Sequence, residues 1–291
     1  MSDSAIMRQL RRPGVQTAIM LAPALTVVGA LFAGGLADAL LQSLGWFPAI
    51  GLRELDFDAY SLVLGDPAFV HSLLLTSYIA ATATIVSSVL AVALALAIRR
   101  SPVRWLTPVL QLPLTVPHLL AAVGIALLVS QSGLIARLFA LLGFVDEPRD
   151  FLPLVYDPYA VGIILTYVWK ETPFVMLIVL ALLARGTDEL EEAARTLGAT
   201  RWQCLRHITL PRILPGLLAA GFLTFAFTFG AFEVPLLLGE TYPPALPVLA
   251  WNEYRSIDLA DRPAAMAIAV IIAVVTGAFA LFLARLSRRL V

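Results

Sequence analysis

Ionisable side chains interrupt long apolar stretches of the sequence at several points. Lys170 and Glu171 stand side by side in one stretch, Glu233 stands in a second, and His118 stands in a third. Charged groups in an apolar environment are costly, and they usually face water or pair with each other. Glu233 could therefore contact a cationic solute in a translocation pathway or form a structural ion pair with Lys170. For Lys170 and Glu171 a structural role is favoured, and for His118 a hydrogen bond to a neighbour is favoured over a proton relay.

Prolines at positions 113, 117, 173 and 235 lie within the same stretches. Each lacks a backbone N–H, so each is expected to kink or break its helix. Broken helices commonly line the cavities of transporters, although a kink that only improves packing explains any single proline equally well. The candidate pathway-lining residues are Thr115, His118, Thr172 and Glu233.

Residues suited to enzyme catalysis are sparse. The chain has one cysteine and three histidines, and these are scattered along the sequence. It contains no glycine-rich phosphate loop, no HExxH and no GxSxG motif. We therefore expect no catalytic residues, no metal site, no cofactor and no nucleic-acid partner.

The composition is that of a membrane protein. Of the 291 residues 60% are hydrophobic and 14% are charged, with a mean hydropathy of +0.88, whereas soluble domains are about half apolar and a quarter charged. A bilayer core about 30 Å thick needs roughly 20 apolar residues per helix. Six stretches are long enough: about 16–36, 70–98, 106–130, 159–185, 213–240 and 264–284. The expected fold class is an all-α membrane protein with six transmembrane helices.

The arginines indicate how the helices are oriented. Fourteen of them flank the ends of the spans on one side of the membrane, and five lie on the other side. The positive-inside rule makes the arginine-rich side cytoplasmic, so both termini are expected in the cytoplasm. Ala37-Asp38-Ala39 also allows a cleaved signal peptide. That alternative is disfavoured because the first apolar run is long and its removal would spoil the alternation of charge.

The cytoplasmic loop between the fourth and fifth spans has a pattern of its own. Thr187 to Leu197 predicts a short helix capped by Thr187 or Asp188, and Gly198 is placed to end it in a left-handed conformation. A second short helix is expected over about 200–208, ending before Leu210-Pro211. Two short helices that meet at a glycine predict a projecting elbow.

This loop resembles the EAA loop in permease subunits of binding-protein-dependent ABC importers. The residues that carry the resemblance are Glu192-Ala193-Ala194, Gly198 after three residues, and Ile208-Thr209-Leu210-Pro211 after nine more. The segment Trp169–Phe174 is also similar to the family's preceding span. The resemblance covers roughly residues 70–285 and implies the type I importer fold. It divides the chain into an N-terminal part (1–69), a permease core (70–285) with the coupling loop at 186–212, and a cytoplasmic tail (286–291).

The resemblance also implies a mechanism and a set of partners. The elbow docks on a separate ABC ATPase dimer, which hydrolyses ATP, so this chain is a transport subunit and not an enzyme. A second permease, more often a sister chain than a copy, completes the pathway in the bacterial inner membrane, and an extracytoplasmic binding protein delivers the solute. The expected coupling residues are Glu192, Ala193, Ala194, Gly198, Arg201, Arg206 and Pro211. Glu192 is expected to pair within the loop, and Arg201 or Arg206 to form a salt bridge with the ATPase.

The solute is less constrained by the sequence. Leu112–Pro117 and Phe229–Pro235 resemble the polyamine, ferric-iron and sulfate branch of these permeases. Within it, a membrane carboxylate and acidic outer loops favour a cation such as spermidine or putrescine. Ferric iron, thiamine, phosphonate and sulfate remain alternatives. An ion-coupled secondary transporter is a remote alternative, because it would leave the EAA loop unexplained and no matched pair of broken repeats is evident.

Overall fold

The computed structural model describes residues 13–99, 105–184 and 186–290, and this part of the chain is almost entirely helical. The main helices are α1 (Pro13–Ser43), α2 (Asp58–Gly65), α3 (Pro67–Ile98), α4 (Leu106–Thr115), α5 (His118–Val129), α6 (Leu134–Leu141), α7 (Val161–Leu183), α8 (Thr187–Thr196), α9 (Arg201–Cys204), α10 (Leu210–Gly230), α11 (Glu233–Leu238), α12 (Leu246–Tyr254) and α13 (Arg262–Leu290). A π-helical turn, Leu205–Thr209, joins α9 to α10.

Within the described ranges, six helical segments are long and apolar enough to cross a membrane, in agreement with the predicted number of spans. They are Met20–Ser43, Pro67–Ile98, His118–Leu141, Val161–Leu183, Arg201–Gly230 and Leu259–Arg285. The most apolar 18-residue window of the first has no buried residue in the isolated chain, whereas more than half of the corresponding window of the fourth is buried. The fourth span, α7, is therefore the central helix of the bundle.

The predicted third span, 106–130, is divided, as a proline at position 117 leads one to expect, and the segment long and apolar enough to cross a membrane begins only after the break, at His118. α4 ends at Thr115, Val116 is extended (φ −87°, ψ 126°), and Pro117 precedes the first residue of α5. The proline ring disfavours the helical conformation for the residue before it, which explains the break at Val116. Pro113, by contrast, lies inside α4 without interrupting it.

The predicted fifth span, 213–240, is also divided. Its break lies at Ala231 and Phe232 and not at Pro235, where the proline predicts it. α10 ends at Gly230, Ala231 is extended (ψ 137°), and α11 begins at Glu233. Pro235 lies in the first turn of α11, where a missing N–H leaves no helix hydrogen bond unmade. Pro173 lies inside α7, which continues through it.

The core lies around α7, with α3 and α10 against it. One buried cluster joins α3, α5, α7 and α11, and includes Ile79, Ile163 and Tyr167. A second cluster joins α3, α7 and α10 through residues such as Val175 and Ile213. A third packs α12 and α13 against α3 and α10, with Phe225 and Phe229 at its centre. Two phenylalanines of the fifth span, Phe225 and Phe229, thus serve packing.

Several small residues of α3 make contacts within the chain. Ala80 is buried in the cluster with Phe225 and Phe229. The hydroxyl of Thr76 accepts a hydrogen bond from the amide of Leu246 (2.7 Å). An added Cβ on Gly221 of α10 would lie 3.6 Å from Thr84, so α3 and α10 approach closely there.

Candidate functional site: the coupling loop and the broken third span

The first helix of the loop, α8, ends as the sequence predicts. Gly198 has a φ of +91°, in the left-handed region that glycine adopts without strain. The amide of Ala199 donates to the carbonyl of Ala194 (3.0 Å), and the amide of Gly198 donates to that of Arg195 (2.9 Å). These two bonds form a Schellman motif and satisfy the last carbonyls of the helix. The elbow at Gly198 is confirmed.

The start of α8 differs from the prediction. The capping position belongs to Gly186 (φ +72°), and neither Thr187 nor Asp188 makes a side-chain cap. Thr187 is instead the first residue of the helix and is fully buried. It shares the inward face of α8 with Glu191, one turn later, because residues four apart lie on the same side of a helix.

The second helix of the loop does not end before Leu210, and that prediction is wrong. Thr200 and Gln203 form a capping box at the start of α9, with bonds of 2.7 and 3.3 Å. The π-helical turn then carries the helix directly into α10, and the amide of Leu210 donates to the carbonyl of Leu205. A π turn accommodates Pro211, which has no N–H for a regular helix bond. One continuous helix runs from Arg201 to Gly230.

A buried ion pair fastens the loop to the bundle. Arg99 Nη2 lies 2.6 Å from both carboxylate oxygens of Glu191, and the two side chains are only 8% and 4% exposed. The hydroxyl of Thr209, in the π-helical turn, donates to the same carboxylate (2.5 Å). Arg99 Nη1 also lies 3.7 Å from Asp188. Glu191 thereby links the end of α3, the inward face of α8 and the start of the fifth span.

Several neighbouring side chains surround a small cavity beside this ion pair. The cavity has a volume of about 180 Å³ and is lined by Leu96, Arg99, Glu191, Arg195, Arg201, Leu205 and Thr209. Three of these residues are arginines and one is a glutamate, so the lining carries net positive charge.

The break in the third span is held by α7. The Lys170 ammonium donates to the carbonyl of Pro113 (2.6 Å) and to that of Val116 (2.5 Å), both at the end of α4. The next residue, Glu171, bonds His118, the first residue of α5, through Oε1 and Nε2 (3.1 Å). Lys170 and Glu171 are 4% and 8% exposed. Adjacent residues of α7 therefore contact the two sides of the break.

Aromatic rings complete the surroundings of His118. Its ring lies 4.6 Å from that of Phe227 on α10 and 6.5 Å from that of Tyr167 on α7, measured between centroids. Tyr167 is fully buried, and its hydroxyl has no hydrogen-bond partner among the described residues. The α5, α7 and α10 helices thus meet at the level of the break.

Comparisons with known proteins identify the architecture. Residues 87–291 match the model of the family described as binding-protein-dependent transport system inner membrane component. The chain belongs to this family. The sulfate transport system permease protein CysT of Escherichia coli is 30% identical over 224 residues, which cover 76% of this chain and 77% of CysT. A probable molybdenum ABC transporter permease protein of Haloferax volcanii is 34% identical, covering 70% of this permease and 71% of that protein.

Two further similarities concern length and fold. The permease matches the inner membrane ABC transporter permease protein YnjC of Escherichia coli at 27% identity, over 39% of that longer protein. In three dimensions it resembles a chain of a bacterial ABC transporter involved in the import of the acidic polysaccharide alginate. The TM-score is 0.78 at 20% identity, with 98% of this chain and 99% of the other covered. The type I importer fold and a multi-pass location in the bacterial inner membrane follow from these matches and the six spans.

The named cargoes of the relatives do not support the expectation of a polyamine. They are sulfate and molybdenum, the first of which was among the alternatives. The resemblance to the polyamine, iron and sulfate branch is thus consistent with the sequence relatives, while the preference for a cation within that branch is not.

The permease presents most of the expected coupling residues at its surface. Glu192, Ala193, Gly198, Arg201, Arg206 and Pro211 are exposed, and Ala194 is half-buried. Two apolar side chains that the sequence analysis did not single out accompany them: Leu197 is 89% exposed and Trp202 is 63% exposed. Exposed apolar groups beside an elbow of this kind indicate a surface for another protein.

The pairing role expected of Glu192 is taken by Glu191. The sequence contained one signal for this, because position 191 lies four residues after Thr187 and so faces the bundle with it. Its partner, Arg99, is 92 residues away, and nothing local in the sequence indicates their contact. The ion pair between Lys170 and Glu233 does not form either, because Lys170 bonds the carbonyls of the broken span.

The expected pathway residues are only partly brought together. His118 bonds Glu171 and therefore lies at the break. Thr172 is buried and donates to the carbonyl of Val168 within its own helix (2.6 Å), while Thr115 is exposed and donates to that of Leu112 (2.8 Å). Glu233 is exposed at the first residue of α11, where the positive end of the helix dipole favours a carboxylate.

Proposed function

We propose that this permease carries a tetrahedral oxyanion of the sulfate or molybdate kind into the cytoplasm. The observation that carries the proposal is the pair of relatives named for sulfate and molybdenum, each at least 30% identical over at least 70% of this chain. Each of these relatives is also covered over at least 71% of its own length, so the similarity is not confined to one short motif.

The geometry of the broken third span is compatible with an anion. α5 begins at the break, so the N–H groups of its first turn have no preceding helical carbonyls to bond. Half-helices that begin inside a membrane present this positive end to anionic solutes in other transporters. Leu119 and Leu120, in that first turn, are 50% and 60% exposed, so this end of α5 lies at the surface of the isolated chain.

The carboxylates of this region do not present an open cation site. Glu171 is engaged by His118, and Glu233 occupies the favourable first position of α11. A sulfate or molybdate ion would instead be bound by neutral N–H donors such as those at the start of α5. The exposed carboxylate of Glu233 would then repel the anion weakly. Replacing Glu233 by a neutral residue therefore tests the sign of the charge on the solute.

The remaining assembly follows the family. An ABC ATPase dimer docks on the elbow of 186–212, with Ala193, Leu197 and Trp202 in its groove and Arg201 or Arg206 paired with its acids. The arginine-rich side of the bundle, with both termini, faces the cytoplasm. A second permease and an extracytoplasmic binding protein complete the importer, and the second permease is a sister chain.

The proposal is tested by ATP hydrolysis in lipid vesicles. The permease is purified with its co-expressed partners, and hydrolysis is measured with the binding protein in the presence of sulfate, molybdate or spermidine. Stimulation by sulfate or molybdate is the expected result. Stimulation by spermidine alone overturns the proposal in favour of a cation.

A substitution of Glu233 separates the two solute classes further. Glu233→Gln removes a negative charge without changing the size of the side chain. It should preserve or raise oxyanion-stimulated hydrolysis, because a repulsive charge is lost. A loss of stimulation of tenfold or more, about 1.4 kcal/mol, would show that the carboxylate contacts a cationic solute.

A further inference from the structure

The break in the third span leaves backbone groups without their usual partners. In an unbroken helix the carbonyl of Pro113 would accept from the amide of residue 117, but that residue is a proline and has no N–H. The carbonyl receives only a long bond from the amide of Val116 (3.3 Å). The extended conformation of Val116 also turns its own carbonyl out of the helix. Inside a membrane such groups need another donor.

Lys170 supplies that donor to both carbonyls. Its ammonium lies 2.6 Å from the oxygen of Pro113 and 2.5 Å from that of Val116. It is the only lysine of the chain, and it is 4% exposed. No carboxylate lies within ion-pair distance of it among the described residues. Burying an ammonium group costs free energy, and here two hydrogen bonds to backbone carbonyls offset that cost.

The neighbouring residue holds the other side of the break. Glu171 bonds His118, which begins α5. Lys170 and Glu171, which we call the clasp, therefore bind the end of α4 and the start of α5 from a single turn of α7. Since α7 is the most buried helix of the bundle, the clasp fixes both halves of the third span to its centre.

We propose that Lys170 is a positioning residue for transport. It holds the third span in its broken conformation, and it makes α4, α5 and α7 move as one body when the permease changes between its inward-facing and outward-facing conformations. Lys170 acts through the backbone of Pro113 and Val116, and it does not need to touch the solute. The proposal goes beyond the choice of solute and holds for any cargo of this importer.

A double-mutant cycle tests the proposal. Lys170→Met removes the donor, and Pro117→Ala provides a backbone N–H in the position that Pro113 lacks. The assembled complex is purified and its thermal midpoint is measured, a readout that requires no cargo. Lys170→Met should lower the midpoint by about 4–8 °C. In the Pro117→Ala background, Lys170→Met should lower the thermal midpoint by less than half as much, because the carbonyl of Pro113 then has a backbone donor.

The contrary results are equally clear. Equal losses in the two backgrounds, or no loss in either, overturn the proposal. If Lys170→Met alone does not assemble, recovery of the complex in the double variant supports the proposal and failure to recover overturns it. Thr166→Val is the matched control, because it removes a buried hydroxyl that donates to the carbonyl of Gly162 within α7 (2.8 Å) and does not touch the break.

A kinetic measurement distinguishes positioning from simple stability. In the assembled complex, Lys170→Met should lower the kcat of ATP hydrolysis at least tenfold and leave the KM for ATP within twofold of its original value. Lys170→Arg keeps several N–H donors and should restore kcat to within threefold. An unchanged kcat in Lys170→Met, or no rescue by arginine, contradicts the positioning role.

Discussion

Arg99 and Glu191, 92 residues apart in the sequence, form a buried ion pair that joins the coupling loop to the end of α3. Thr209 bonds the same carboxylate from the start of the fifth span. The loop is thus tied to two spans through one side chain. Any force applied to the elbow by a partner protein reaches both spans through Glu191.

Glu191→Gln should destabilise the permease strongly. The substitution removes the buried counter-charge of Arg99 and leaves only the exposed carboxylate of Asp188, 3.7 Å away; breaking a buried ion pair typically costs about 3–5 kcal/mol. We expect a lower thermal midpoint and a lower yield of assembled complex. Glu192→Gln is the matched control for stability, because the adjacent side chain is exposed. Equal midpoints for the two variants would contradict the structural role of the pair.

Gly198 should tolerate asparagine better than alanine. An added Cβ at this position meets no atom within 4 Å, so space does not decide the outcome. The φ of +91° decides the outcome, because this left-handed conformation costs most residues about 1–2 kcal/mol of conformational free energy and costs asparagine less. Gly198→Ala should weaken co-purification of the ATPase and Gly198→Asn should largely preserve it.

A bulky residue at the same elbow tests docking rather than backbone strain. Gly198→Trp should retain the six spans and their assembly but abolish solute-stimulated ATP hydrolysis. Circular dichroism of the purified permease provides the check on folding. Unchanged stimulation in this variant would mean that the elbow does not face the ATPase.

Gly162 should be intolerant of any side chain. A Cβ there would lie 2.6 Å from the carbonyl oxygen of Leu154, a backbone atom that cannot rotate away. Gly162→Ala should therefore lower the thermal midpoint by about 5 °C. Gly124→Ala in α5 is the control, since its Cβ meets nothing within 4 Å and alanine favours a helix. The two variants should move the midpoint in opposite directions.

Glu253, on α12 outside the spans, should make stability depend on pH. Burial, followed by the carboxylates of Asp261 and Asp66, raises the pKa of Glu253 above its ordinary value of 4.5. The folded permease therefore favours the protonated carboxyl, and this stabilisation is present below pH 4.5 and is lost as the pH rises through the raised pKa. Glu253→Gln should have the higher thermal midpoint at pH 7.5, by on the order of 1 °C, and no advantage near pH 4. A difference that does not change with pH would contradict this.

The sequence predicted those features that depend on near neighbours. The six spans follow from apolar length, and the elbow at Gly198 follows from the need for a left-handed residue after a helix. The break at Val116 was expected from Pro117, because a proline constrains the residue before it. Each of these effects acts over a few residues, so the pattern is visible in the sequence.

The features that sequence reasoning missed depend on distant contacts. The bonds from Lys170 to the broken span and from Arg99 to Glu191 join residues more than 50 positions apart. The π-helical turn before Pro211 escapes prediction for a different reason: a proline usually marks the boundary of a helix, and nothing in the local pattern indicates a wider turn. The wider turn, with Thr209 bonded to Glu191 beside it, lets the helix continue past the proline.

The unbroken helix from Arg201 to Gly230 has a mechanical consequence. Its 30 residues form a rod roughly 45 Å long, with the elbow at one end and the break before Glu233 at the other. A rod of that length tilted by about 10° about its elbow end displaces the other end by roughly 8 Å. Under the proposed docking of an ATPase at the elbow, a small rotation there would therefore be enlarged at the far end of the helix.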